Sequence, residues 1–310
     1  MELGIRLFRS VILGLAGNPA AAALSRKYGM KLGAARFVAG QTRDEALNRA
    51  QELNGKRLVV TMDHLGEGVR TDNEADGYTT EYCALIAAMK ERGIKGNVSL
   101  KPTQMGLALH EERTYERIRT IVQTAAGCGM FVRLDMEDSP YTDKTLRIVA
   151  KLRTEGLTNV GPVIQAYLRR SDHDLKSLTS SRVNVRLVKG AYKEPSRIAY
   201  PKRGDVDSNF KRLIRSRLDS GVYTAIATHD EKIIDWVKAY AKRRCIPNSA
   251  FEFQMLYGIR TPLQLSLAEQ GYTVRSYVPY GTMWYPYFVR RLAERPANVG
   301  FVVRSLLKRR

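Results

Sequence analysis

Cysteine is nearly absent from the 310-residue sequence: Cys83, Cys128 and Cys245 lie far apart, form no metal-spaced pair, and leave an odd thiol in any disulfide scheme. A reducing cytosol is the expected compartment, with each thiol a small buried hydrophobe. Also missing are a Gly-x-Gly-x-x-Gly after an early strand and a Walker-type Gly-Lys-Ser/Thr, the two common phosphate-cradling fingerprints. No Pro/Gly-rich linker or low-complexity tract divides the chain, which favours one domain with short terminal additions. Zinc-finger spacing is absent and the aromatics do not punctuate a basic strand, so no nucleic-acid platform is expected. A metal site lacks ligand spacing, since Asp135 and Glu137 have only His64 and His229, from unrelated units, as nitrogen partners.

Positive charge and apolar residues are what the chain has in quantity. Hydrophobic residues make up 44%, enough for one large core, and 51 Lys+Arg against 31 Asp+Glu give a net charge of +20. The cations concentrate at 203–217 and in Arg304, Lys308, Arg309 and Arg310, a field that attracts anionic lipid, nucleic acid or acidic metabolites. Residues 3–16 read as an amphipathic helix too short and too charged to span a bilayer, and lacking a clear cleavage pattern; it packs on the domain or lies on a membrane surface.

From residue 57 onward the chain alternates. β-like runs at 57–62, 97–100, 130–134, 162–166, 184–188, 223–227, 250–253 and 272–278 are separated by helix-like stretches at 79–92, 111–126, 142–155, 209–220, 231–244 and 262–270, with Thr42 as the cap of an earlier helix over 43–53. Eight such units favour a closed (β/α)8 barrel over an open doubly wound sheet. A barrel gathers the carboxyl ends of its strands around one mouth, which here collects Asp63, His64, Lys101, Asp135, Glu137, Gln165, Tyr167, Arg186, Lys189, Thr228, His229, Gln254, Tyr257 and Tyr277. Each alone reads as a helix cap or solvated loop residue; their recurrence at the same end of successive units reads as a pocket. Lys101 or Lys189 could form a Schiff base with a carbonyl substrate, as in a barrel lyase, or act as a point charge. Gly190 either lets a large planar or phosphorylated group approach or simply makes a tight turn.

After the last β-like run, Tyr287, Arg290, Arg291 and Glu294 are spaced by three or four residues on one helix face. Adjacent guanidiniums suit a planar carboxylate, and Glu294 can hold one of them in place; the plain alternative is a solvated salt-bridge face.

Taken together, Tyr287-x-x-Arg290-Arg291-x-x-Glu294, Arg186-Leu-Val-Lys189-Gly190-Ala191-Tyr192, Ser99-Leu100-Lys101-Pro102-Thr103, Ala227-Thr228-His229-Asp230 and Tyr277-Val278-Pro279-Tyr280-Gly281 resemble the catalytic domain of the proline dehydrogenase family in its compact monofunctional bacterial form. The resemblance implies a distorted (β/α)8 TIM barrel over 56–310, an N-terminal helical segment over 1–55, and a final helix over the mouth. It implies FAD bound without a Rossmann domain, contacted by Gln165, Arg186, Lys189, Gly190, Thr228 and His229. L-proline would be held by its carboxylate on Arg290 and Arg291 with help from Lys101, with Glu294 orienting the arginines and Asp135 closing the site. Tyr192, Tyr277, Tyr287 and Leu256 would pack around the ring. Oxidation to Δ1-pyrroline-5-carboxylate by hydride transfer to flavin N5, electrons passing to a membrane quinone, and a cytoplasmic enzyme touching the inner face of an anionic membrane complete the expectation. A related cyclic imino acid such as hydroxyproline is the alternative substrate.

Overall fold

In the computed structural model, residues 33–66 and 68–294 are described, without the side chains of Ala293 and Glu294. The helix expected over residues 3–16, the basic end from Arg304 to Arg310 and the side chain of Glu294 therefore lie outside the described residues.

The first described α-helix, α1 (Arg43–Gly55), starts where a capping box closes it: Thr42 accepts the Glu45 N–H at 3.3 Å, and the Glu45 carboxylate accepts the Thr42 N–H at 3.2 Å. Its buried face, Ala46, Leu47, Ala50 and Leu53, joins the main core. Then β1 (Val59–His64), β2 (Gly96–Leu100), β3 (Val132–Leu134), β4 (Val160–Gln165), β5 (Val185–Val188), β6 (Thr224–Ala227), β7 (Phe251–Leu256) and β8 (Thr273–Tyr280) pair in parallel, each with the next, and β8 closes on β1. Between them run α2 (Asp72–Glu91), α3 (Glu111–Gly127), α4 (Ser139–Thr154), α5 (Ser171–Ser180), α6 (Arg203–Asp219), α7 (Glu231–Arg243) and α8 (Thr261–Glu269), and α9 (Trp284–Glu294) follows β8. All eight expected strands and the expected barrel are present.

Two details differ from the sequence reading. The first strand begins at Val59 rather than at residue 57, because Arg57 takes a left-handed conformation with φ 61°, which breaks the extended run. That shift moves Asp63 and His64 from beyond the strand into its last two positions. Helix α5 was not expected: its buried apolar contribution is little more than Leu175, too thin a stripe to read as helical periodicity.

Helices and strands bury Val, Ile, Leu, Met and Phe between them, as in Met62, Val98, Leu134, Val160, Leu187, Ile226 and Phe253, all in one continuous core. A second apolar cluster docks the last helix: Trp284, Phe288 and Val289 of α9 meet Phe37, Leu65 just after β1 and Ile259 just after β7, with Leu256 at the β7 terminus packed against them. These contacts hold α9 at the carboxyl ends of the strands.

Not every cation belongs to the surface field. Arg217 is fully buried and donates to Thr179, Thr224 and the carbonyls of Val183 and Tyr223. Burial, with Arg182 nearby, pushes its guanidinium down to about 10. Arg133 is likewise buried, bonding the Pro162 and Asn184 carbonyls. Nor is any of the three thiols fully buried: Cys83 and Cys128 are half-buried, and Cys245 is exposed, in a left-handed turn after α7. No described helix is long and apolar enough to cross a membrane.

Candidate active site

Along several strands, alternate residues that turn into the barrel are polar although their neighbours are apolar, a period of two that matches the pleat. Glu252 and Gln254 of β7, Arg275 and Tyr277 of β8, Ser99 of β2, Asp63 of β1 and Arg186 of β5 are the members. At the base Arg275 clamps Glu252 at 2.9 Å, and Glu252 accepts from Gln254 Nε2 at 2.5 Å. Gln254 in turn accepts from Arg186 Nε at 2.5 Å, and Arg186 Nη1 donates to Asp135 Oδ1 at 2.6 Å. The chain of charge thus climbs the barrel interior to its mouth. There Asp135 also accepts from Ser99 Oγ at 2.7 Å and faces Tyr277 Oη at 2.7 Å. Tyr277 Oη lies at the same 2.7 Å from Asp63 Oδ2, and Lys101 Nζ sits 3.3 Å from Asp63 and 3.8 Å from Asp135. The Arg186 guanidinium carbon is 5.3 Å from the Tyr277 ring centroid, a cation over an aromatic face.

Electrostatics follows from this geometry. Burial alone would raise the Asp135 carboxyl, but the cations Arg186 and Lys101, with the Ser99 and Tyr277 hydroxyls, outweigh it and hold the group below its ordinary value. The Tyr277 phenol is driven well above its ordinary value by burial and by the two carboxylates it touches. Glu137 behaves oppositely: burial raises it, against two hydrogen bonds from Thr103, N–H at 3.0 Å and Oγ1 at 2.5 Å. Glu137 therefore braces the turn after β2, and its own backbone carbonyl accepts from Gln165 Nε2 at 2.8 Å.

The residues expected around a cofactor divide. Arg186 is buried, and its Nη2 has no protein hydrogen-bond partner, while Nε and Nη1 are both used. A guanidinium nitrogen in that condition calls for an acceptor the protein does not supply. Thr228 accepts the Asp230 N–H at 3.1 Å and keeps its hydroxyl proton to donate, and His229 Nε2 accepts the Leu256 N–H at 3.0 Å, which ties the β6 loop to the end of β7. Lys189 is ion-paired with Asp207 at 2.5 Å and Asp230 at 3.1 Å. At Gly190 the backbone has φ 115°, and a Cβ would lie 2.1 Å from Tyr167 Cδ1. The turn itself requires this glycine, so a close ligand approach is not needed to explain it.

On the substrate side, Lys101, Asp135 and Tyr277 are brought together as described. Tyr287 is buried, with the Arg291 guanidinium 5.0 Å from its ring centroid, and Arg290 lines a small cleft with Leu65, Gly66, Met283, Pro286 and Tyr287. Leu256 is half-buried under α9, and Tyr192 is exposed at 40%. Asp63, placed at the mouth from sequence, and Ser99, quoted there only within the Lys101 motif, were given no role in the site, yet both are integral to the interior network. Their signal was available in the alternation of Asp63 with Thr61 and of Ser99 with Asn97 and Lys101 along otherwise apolar strands.

Comparisons with known proteins agree on one family. The sequence model described as Proline dehydrogenase matches residues 46–304. Proline dehydrogenase 1 of Bacillus subtilis subsp. natto is 43% identical over 303 residues, 98% of this chain and 100% of its own. Proline dehydrogenase of Deinococcus radiodurans is 43% identical over 307 residues, 98% of this chain and 99% of its own. Among solved structures, proline utilization A from Bdellovibrio bacteriovorus inactivated by N-propargylglycine superposes with a TM-score of 0.81 at 29% identity, over 89% of this chain and 34% of that one.

Proposed function

The chain belongs to the proline dehydrogenase family, and from that premise we propose that it oxidises L-proline to Δ1-pyrroline-5-carboxylate, the opening step of proline breakdown. The observation that carries the reading is the ionic cluster of Lys101, Asp135, Arg186 and Tyr277 at the strand ends, in a barrel whose near-full-length relatives bear that name. FAD, when bound, supplies the two-electron acceptor for hydride from the substrate C5. Arg186 would meet it with its unused Nη2, Thr228 with its hydroxyl proton, and Gln165, Lys189, Gly190 and His229 from the neighbouring strand ends.

The chain's own residues then have separable tasks. Arg290 and Arg291 fork onto the substrate carboxylate, with Lys101 adding a third cation, and Glu294 orients the pair. Tyr192, Tyr277, Tyr287 and Leu256 flank the ring. Asp135 fixes Arg186, Ser99 and Tyr277 in one arrangement, so the site is organised before substrate arrives. Lys101 stands between Asp63 and Asp135, and Lys189 between Asp207 and Asp230, and an ammonium flanked by two carboxylates is a poor nucleophile. That weighs against Schiff-base lyase chemistry. Electrons would leave to a membrane quinone, and the net charge of +20 would favour contact with an anionic inner membrane face.

Anaerobic addition of L-proline to the purified yellow protein tests the reading. Bleaching of the flavin absorbance is expected, with a weaker response to hydroxyproline; flavin that is present and stays oxidised rejects proline as the reducing substrate.

A further inference from the structure

Tyr277 Oη lies 2.7 Å from Asp63 Oδ2 and 2.7 Å from Asp135 Oδ2, yet a phenol carries one hydrogen. With both carboxyls ionised, one of these two short contacts has no proton in it. Asp135 is the better supplied carboxyl: Ser99 Oγ and Arg186 Nη1 both donate to its other oxygen. Asp63 is 1% exposed and poorly supplied. Its Oδ1 faces Tyr82 Oη at 3.3 Å, but that hydroxyl lies closer to the Ser99 carbonyl, 2.8 Å away, and spends its proton there. The His64 N–H donates to the same Tyr82 oxygen rather than to the carboxylate. Tyr280, also near Asp63, directs its hydroxyl to Glu81 at 2.9 Å. Among the described residues, Lys101 Nζ at 3.3 Å is the remaining donor to Asp63, beside the single Tyr277 hydrogen that Asp135 also claims. A hydrogen placed on Asp63 would fill the second of the two short contacts to Tyr277.

We propose that Asp63 is the terminal holder of the proton that the substrate amine must lose before hydride departs, with Lys101 as the link and Tyr277 as the partner that stabilises the protonated form. The proposal rests on the proline reading above. The step balances without any oxidant. Lys101 first passes one of its protons to Asp63 Oδ2, turns its neutral amine about the Cε–Nζ bond, and then takes a proton from the substrate ammonium; the substrate goes from ammonium to neutral amine, Lys101 regains its charge, and Asp63 becomes neutral. The new Asp63 O–H donates to Tyr277 Oη, whose own hydrogen donates to Asp135 Oδ2, so both 2.7 Å contacts then contain a hydrogen. Arg186 keeps Asp135 as the ionised end of this line, which gives the proton a defined direction. Asp63 acts through Lys101 and Tyr277 and is a positioning residue for proton release; after the imine product leaves, the proton returns to solvent through Lys101.

Infrared difference spectroscopy on the holoenzyme, grown with aspartate carrying 13C at its side-chain carboxyl, tests this. In rapid mixing, anaerobic L-proline should produce a protonated-carboxyl band that rises with flavin bleaching and decays as the imine leaves, and that shifts with the 13C label and in D2O. Cyclopentanecarboxylate, which offers the ring and carboxylate without an amine, should produce none. The band should vanish in Asp63→Asn, persist in the surface variant Asp235→Asn, and move to higher frequency in Tyr277→Phe, which keeps Asp63 but removes its hydrogen-bond acceptor. Flavin bleaching with no such band in the wild type overturns the assignment while leaving the substrate reading intact, as does a band that survives in Asp63→Asn, is unmoved in Tyr277→Phe, or appears equally with cyclopentanecarboxylate. If proline does not bleach the flavin at all, the substrate reading falls and takes the assignment with it.

Discussion

Arg291 stands over Tyr287 on the last helix, at the rim where α9 meets the ends of β1 and β7. Replacing it by alanine is expected to lower kcat/KM for proline by on the order of 10²-fold, since truncating one partner of a buried charge pair costs about 2–5 kcal/mol. FAD content should stay near wild type, because the proposed flavin contacts lie on β4 to β6. Flavin absorbance measured alongside steady-state kinetics checks the division, and parallel loss of both would contradict it. A second residue-level expectation concerns acid. Asp135 and Glu252 are each held below their ordinary values by arginines despite burial, Arg186 for the first and Arg275 for the second. A depressed carboxyl contributes stability that is complete above its unfolded value, about 4, and is lost as pH falls through the lower folded one. Thermal unfolding should therefore show little change contributed by these two groups from pH 7 to 5 and a loss below about pH 4. Asp135→Asn should flatten that loss.

Elements carry predictions of their own. The capping box at Thr42 satisfies backbone donors that otherwise lack partners at the start of α1, so Thr42→Ala should cost about 1 kcal/mol, roughly 2 °C in Tm, with flavin reduction by proline unchanged. The turn after β5 is less forgiving. Gly190→Ala would place a side chain in a left-handed conformation and against the Tyr167 ring, with backbone strain of about 1–3 kcal/mol before any displacement of that ring. Calorimetry should register a larger fall than for Thr42→Ala; an equal or smaller one would mean the turn has another way to relax.

At the scale of the whole molecule, burial leaves the net charge of +20 in place, because among the described residues Arg117, Arg133, Arg186 and Arg217 are buried along with Asp63, Glu137, Asp174 and Glu252. The cations left outside still outnumber the acids, and each one near an anionic surface contributes about 1 kcal/mol at low screening. Sedimentation with anionic liposomes should exceed that with neutral ones and fall as salt rises. Equal recovery from both would leave the charge as a property of solubility alone.

The barrel was legible in the order of the residues because eight apolar runs alternating with helical periods admit few closed arrangements, and α1 was legible in its cap. Strand ends and α5 were less so: a left-handed Arg57 and a helix with one well-buried leucine carry little periodic signal. Sequence also sufficed to gather Lys101, Asp135, Arg186 and Tyr277 at one mouth, since each follows or ends an apolar run. What it could not provide was the pairing among them. Arg186 bonds Asp135, 51 positions away, through the registers of β3 on β4 and β4 on β5, and Tyr277 bonds Asp63, 214 positions away, because β8 closes on β1. Linear order determines which residues face the barrel axis; only closure determines which of them share a proton.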